Sequence, residues 1–296
     1  MKRAFAWVLP ILLLTACTAA SGLELMEMRN DPLPEETPAE ETVSYAVHMV
    51  TWEDAVQAED GTVLASSSFQ VPKLTARRAD GTAVTEAKTE KEQTAASVAE
   101  TFNRKFEDWA AAGEFQQVSG EARERWDAAH APDAPPEWAG EWIGEYTLEL
   151  TSSVYQTDHM LSVAGNYYSF TGGAHGNTTL MAWNYDLTTG SFFGPEFLAE
   201  DGQAFSRAVQ EEIVLQCQTM AAEENLRAED LFWSNYAEIA AGWSSYAVSF
   251  DEEGMAVGFS PYELACYAAG PQVFHLSYDW LRPYLSQHGL EVLGLA

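Results

Sequence analysis

Two periodicities alternate along this chain. Val43 to Thr51 (VSYAVHMVT) swaps apolar and polar positions often enough for a strand, and Val63 to Leu74 reads as a second strand after a turn at Gly61. Ala79-Asp80-Gly81 marks another turn. Thr89 to Ala112 then changes period. Val98, Phe102, Phe106 and Trp109 recur at helical spacing, and Gly113 supplies a stop. A second helix over Phe115 to His130 places Phe115, Val118, Ala122 and Trp126 on one face, and the Pro-rich stretch Ala131 to Pro136 ends it.

The second half begins with paired strands, Ile143 to Val154 and His159 to Phe170. Next comes Phe170 to Gly190, FTGGAHGNTTLMAWNYDLTTG, which reads as a glycine-rich turn, a strand and a closing turn over Asp186 to Gly190. A helix over Asp201 to Glu224 carries Phe205, Val209 and Ile213 on successive turns. A shorter helix over Leu231 to Ala241 follows, then a hairpin around Glu252-Glu253-Gly254. The loop Ser260 to Gly270 leads to a last strand, Gln272 to Ser277, and a terminal helix over Tyr278 to Leu285, interrupted at Pro283. The pattern predicts an α+β fold of antiparallel sheets packed with helices. Two subdomains are expected, 43–138 and 139–296.

The first 42 residues follow other rules. Lys2 and Arg3 precede an apolar run, Ala4 to Leu14, that is too short to span a bilayer at roughly 20 residues. Residues 1–16 therefore read as a signal peptide. Leu14-Thr15-Ala16-Cys17 resembles a lipobox, which implies cleavage before Cys17 and acylation of its thiol and new amino group. Residues 17–42, with Pro32, Pro34, Pro38 and a run of acids at Glu35, Glu36, Glu40 and Glu41, read as a lipidated, disordered tether. The expected location is extracytoplasmic and membrane-anchored, at the cell surface or in a periplasm.

The formal charge of −30 argues against nucleic acid as a partner and favours a basic one, or simply solubility. Cys217 and Cys266 are the remaining cysteines. In an oxidising compartment they are a candidate disulfide; two free thiols are the alternative, and sequence does not place them within bonding range. No metal-ligand spacing such as HExxH or paired CxxC occurs, and neither does a GxSxG nucleophile elbow. The expectation is a protein without metal, cofactor or catalytic residues. A carboxylate pair acting as in glycosidases stays open as the alternative, because 45 acidic residues make chance pairs inevitable.

The order GGAHG, NYDLTTG, a helix and then FSPYELACYAAGP resembles the C-terminal domain of RsiV-type proteins, lysozyme-sensing anti-sigma factors, over about Trp142 to Leu285. The upstream region, about Val43 to Ala134, resembles the non-catalytic N-terminal domain of PdaC-type peptidoglycan deacetylases. The resemblance implies an extracytoplasmic recognition module whose ligand is lysozyme or another envelope component, such as a peptidoglycan fragment. An anti-sigma role does not carry over, since a lipoprotein signal stands where a cytoplasmic segment and membrane span would be. The deacetylase catalytic domain is also missing, and Cys266 stands where the family has proline. The loop that carries the resemblance offers Tyr262, Glu263 and Tyr267 as candidate binding residues, either anchors for a partner or side chains packed under the sheet. His175 is a fourth candidate, either a ligand contact or an imidazole that ties its own turn. A structural envelope lipoprotein without a dedicated ligand is the blandest reading.

Overall fold

The computed structural model describes residues 42–110, 113–135 and 144–296. The signal peptide, Cys17, nearly all of the tether and the expected domain boundary at 138/139 lie outside the described residues.

The longest hairpin comes first. β1 (Val43–Gln57) pairs antiparallel with β2 (Val63–Arg78). Helices α1 (Glu90–Ala110) and α2 (Glu114–His130) follow. They form the crossover that lets the next strand, β3 (Tyr146–Gln156), lie parallel to β2, from Ala65 opposite Tyr146 to Phe69 opposite Leu150. β4 (Met160–Phe170), β5 (Asn177–Asp186) and the short β6 (Ser191–Phe193) then add by antiparallel pairing. The result is one six-stranded sheet in the order β1-β2-β3-β4-β5-β6. The two expected segments thus do not close separate sheets. Reading α1 and α2 as the end of a subdomain, rather than as a crossover, concealed the parallel junction.

One face of this sheet packs on α1 and α2. Val98, Phe102 and Phe106, the helical stripe read from sequence, are buried against Leu64, Leu148, Leu150, Leu161 and Tyr185. At ~25 cal/mol per Å² of apolar surface, this seam supplies much of the drive for docking α1.

The remaining chain builds a second core. Helix α3 (Gly202–Glu223) is capped by Asp201, whose carboxylate accepts from the Gln203 and Ala204 amides, and buries Phe205, Val209, Ile213, Cys217 and Ala221. The helix expected over Leu231 to Ala241 is two pieces, α4 (Ala228–Leu231) and α5 (Tyr236–Ala241), broken by Phe232 to Asn235. A three-stranded sheet of β7 (Ala247–Phe250), β8 (Gly254–Phe259) and β9 (Gln272–Ser277) lays Val248, Phe250, Val257, Phe259, Phe274 and Leu276 into the same core. At the C-terminus α6 (Tyr278–Leu281) tightens into a 3-10 turn at Pro283. A helix not read from sequence, α7 (Gln287–Val292), follows, with the Ser286 hydroxyl accepting from the Gly289 amide.

The two sheets are joined by buried polar groups. Ser162 Oγ on β4 donates to Asn184 Oδ1 on β5 at 2.8 Å and accepts the Phe250 amide of β7 at 2.7 Å. Asn184 Nδ2 donates to the Val248 carbonyl at 2.8 Å. Every member is satisfied, so the network fixes the mutual orientation of the sheets at little desolvation cost.

Candidate functional site

Residues from two distant parts of the chain meet beyond the end of β4. The turn 171–176 joins β4 to β5 and carries His175. Glycine is required at Gly172 and Gly173, whose φ values are 92° and 103°. The His175 Nδ1–H donates to the Gly176 carbonyl at 2.9 Å, which fixes the tautomer and ties the ring to its own turn. The Tyr267 hydroxyl donates to that same carbonyl at 2.8 Å. The two rings stack, with centroids 3.9 Å apart at 21°.

Tyr262 extends the stack, its centroid 5.4 Å from that of Tyr267. Its side chain is 54% exposed, and its backbone sits at φ 73°. A left-handed conformation costs a non-glycine residue about 1–2 kcal/mol, so this loop is held against a local preference. The hold is visible. The Ser260 amide donates to Glu263 Oε2 at 2.5 Å, and the Glu263 amide donates to the Ser260 carbonyl at 3.0 Å. The Trp233 indole N–H donates to the Tyr262 carbonyl at 3.0 Å, and the Trp233 amide donates to the Leu264 carbonyl. Beneath, the Leu180 amide of β5 donates to Ser260 Oγ at 3.1 Å, which ties the loop to the six-stranded sheet.

Three of the four candidate binding residues, His175, Tyr262 and Tyr267, therefore form one aromatic cluster, with His175 stacked on Tyr267 and Tyr262 tilted against it. Glu263 has a different position: its carboxylate is spent on the Ser260 amide and shapes the loop. Two further aromatic residues went unread. Tyr168, 36% exposed, lies so close over Gly176 that a Cβ there would stand 2.3 Å from its hydroxyl. Trp233, 38% exposed, braces the Tyr262 backbone. The strand alternation that puts Tyr167 in the core puts Tyr168 outside, and that was the available signal.

The candidate disulfide does not form. Both cysteines are free: Cys217 is wholly buried on the inner face of α3, and Cys266 is exposed on the loop before Tyr267. Burial pushes the Cys217 thiol up to about 12, which makes it unreactive at neutral pH. Among the described residues, no three His, Cys, Asp or Glu side chains come together in a way that could hold a metal ion, and no helix is long and apolar enough to cross a membrane.

Residues 196–279 match the model of a family described as "Protein of unknown function (DUF3298)". The matched segment includes Tyr262 and Tyr267 but not His175. A crystal structure of a DUF3298 family member from Bacteroides fragilis is similar over 86% of this chain and 99% of its own, with a TM-score of 0.52 and 14% identity, which is a likeness of fold. A DUF3298 family protein from Pseudomonas aeruginosa covers 82% of this chain and 95% of its own, with a TM-score of 0.46 and 14% identity. No curated protein matches.

Proposed function

We propose that this protein is a lipid-anchored, extracytoplasmic recognition module that holds a component of the cell envelope on the aromatic face of Tyr262, Tyr267 and His175, without turning it over. The observation that carries the reading is Tyr262. A large apolar side chain is presented to solvent on a strained backbone, and neighbouring residues spend hydrogen bonds to keep it there. Such strain gathers at ligand clamps, and exposed tyrosine is a frequent anchor in interfaces. The RsiV-type resemblance of the same loop supports it, and so does the lipobox-like stretch ending at Cys17.

The formal charge of −30 favours a second reading, in which the partner is a basic secreted protein such as lysozyme. Calorimetric titration of the chain with a c-type lysozyme at low and high salt, alongside Tyr262→Ala, tests it. Specific capture predicts 1:1 binding that survives high salt and is lost in the variant. Binding that disappears with salt and ignores Tyr262 is charge adhesion alone, because screening acts within roughly 10 Å at 0.1 M salt. Peptidoglycan incubated with the protein is expected to release no soluble fragments; release would return the carboxylate-pair hydrolase.

A further inference from the structure

A cleft of about 320 Å³ lies between the two sheets. That is at the lower end of the roughly 300–1,000 Å³ of small-ligand sites. Its floor is the face of the six-stranded sheet turned away from α1 and α2, where Thr151, Ser153 and Asn166 stand; its wall is the face of the small sheet turned away from α3, where Ser249 and Val273 stand. Both sheets present small side chains here, and at Gly258 a Cβ would stand 2.7 Å from Leu180 Cδ1 and push that side chain aside.

The cleft runs toward the aromatic face. Asn166 and Tyr168 are two apart on β4 and share its outer side. Tyr168 rests on Gly176, whose carbonyl receives both Tyr267 and His175. On the opposite wall, Ser260 at the start of the Tyr262 loop follows Gly258 by two residues.

The chemistry of the lining selects among ligands. No Lys or Arg lines the cleft, which removes phosphate and other polyanions. One charged side chain, Asp251, lines the cleft; its Oδ1 accepts the Glu253 and Gly254 amides at 2.8 and 3.0 Å, which turns the carboxylate toward its own hairpin, and Glu263 likewise accepts the Ser260 amide of its own loop. Among the described residues, the side chains of Thr151, Ser153, Asn166 and Ser249 hydrogen-bond to no other residue. Two hydroxyls and one amide on the floor, and the Ser249 hydroxyl on the wall, therefore offer uncharged donors and acceptors, on the side of β4 that leads through Tyr168 toward the aromatic rings. A polyhydroxylated chain uses both parts, hydrogen-bonding along the floor and laying the C–H face of a ring on an aromatic plane.

We propose that the cleft is a saccharide-binding groove for an uncharged glycan strand, with the aromatic face as its terminal stacking platform. The proposal rests on the aromatic face being a binding surface. Its test is titration of the full chain with tetra-N-acetylchitotetraose and cellotetraose, against tetralysine as the cationic rival, in the wild type, Ser153→Trp, Asn166→Ala and Tyr262→Ala. Ser153→Trp fills an exposed strand position, and Asn166→Ala removes the amide without adding bulk; equal melting temperatures confirm their folds. The expected result is saturable binding of at least one tetrasaccharide, insensitive to salt and weakened at least tenfold in all three variants. Binding to neither sugar, a preference for tetralysine, or sugar binding untouched by Ser153→Trp and Asn166→Ala overturns the groove. If lysozyme or another partner then still binds and depends on Tyr262, the aromatic face stands and only the groove falls. If Tyr262→Ala changes no binding at all, the reading of the face falls with it.

Discussion

The two turns that flank β5 have similar compositions and opposite uses. The upstream turn, 171–176, is largely solvent-exposed, and its histidine and glycines shape an outer surface. The downstream turn, Asp186 to Gly190, sinks its first two residues into the core and leaves Thr188 and Thr189 exposed. Asp186 is 1% exposed, and its Oδ1 accepts the Thr188 and Thr189 amides at 2.7 and 3.1 Å. Its other oxygen, Oδ2, faces His288 Nε2 of α7 at 3.7 Å, too far for a hydrogen bond. Next to it, the wholly buried Tyr185 donates to the Val98 carbonyl of α1 at 2.7 Å. Polar and glycine-rich composition therefore says that the chain turns, but not whether the turn faces water. What decides is the element on the other side: Val98 of α1 meets Tyr185 and Gly190 at the two ends of the DLTTG turn, whereas Tyr168 and the Tyr262 loop meet the GGAHG turn.

The sharpest way to break this comparison is at Asp186. Asp186→Ala strands two amides and is expected to cost about 2–3 kcal/mol in denaturant melts. Asp186→Asn keeps the Oδ1 acceptor for both amides, so it is expected to cost clearly less. Equal losses would mean that charge rather than turn geometry is what the site supplies.

Gly190→Ala comes next. Gly190 sits at φ 68°, and a Cβ would meet Val98 Cγ2 at 3.1 Å. A loss of about 1–2 kcal/mol is expected from the backbone alone. At the exposed end the sign reverses. Tyr262→Gly is expected to raise stability by about 1 kcal/mol, by releasing the left-handed strain, while abolishing ligand binding. A variant less stable than wild type would show that the ring is a packing element rather than a presented one.

The smallest effect concerns the helix on which the buried turn rests. Glu92 of α1 receives Arg78 Nε at 2.5 Å and the Lys88 amide at 2.7 Å. The Arg78 bond first, then that amide, hold its carboxyl below the usual range. A native value below the unfolded one, about 4.3, means that this support is complete above pH ~4.3 and fades as pH falls through the native value. Glu92→Gln is therefore expected to flatten the acid limb of stability against pH and leave the neutral-to-alkaline part of the curve parallel to wild type.

Much of this architecture was legible because short-range periodicity wrote it. The α1 stripe of Val98, Phe102 and Phe106, the α3 stripe, the β7–β8 hairpin and the turn glycines all follow from local spacing. The loop Ser260–Gly270 and His175 were legible as chemistry, yet nothing in the sequence said that they touch, because 87 positions separate His175 from Tyr262 and only sheet register brings them together. Glu263 misled for a related reason: a carboxylate beside an exposed tyrosine looks the same in sequence whether it waits for a ligand or caps its own loop. Helix α7 escaped because it is short, and the Leu198 carbonyl, which receives the Ser286 amide at 2.9 Å, comes from far upstream.

The parallel junction between β2 and β3 sets the order of events when the chain is made. Ala65 must wait until Tyr146 has emerged before its open side is paired, and the first core lacks Leu148, Leu150 and Leu161 until then. A chain made from its N-terminus thus carries a long hairpin with an unfinished edge from the completion of β2 at Arg78 until β3 begins at Tyr146. Non-local closure of this kind is slow, and an open strand edge invites pairing with other chains. Nascent molecules crowded at one exit site are accordingly most vulnerable before β3 arrives, and the helices between β2 and β3 set the length of that interval.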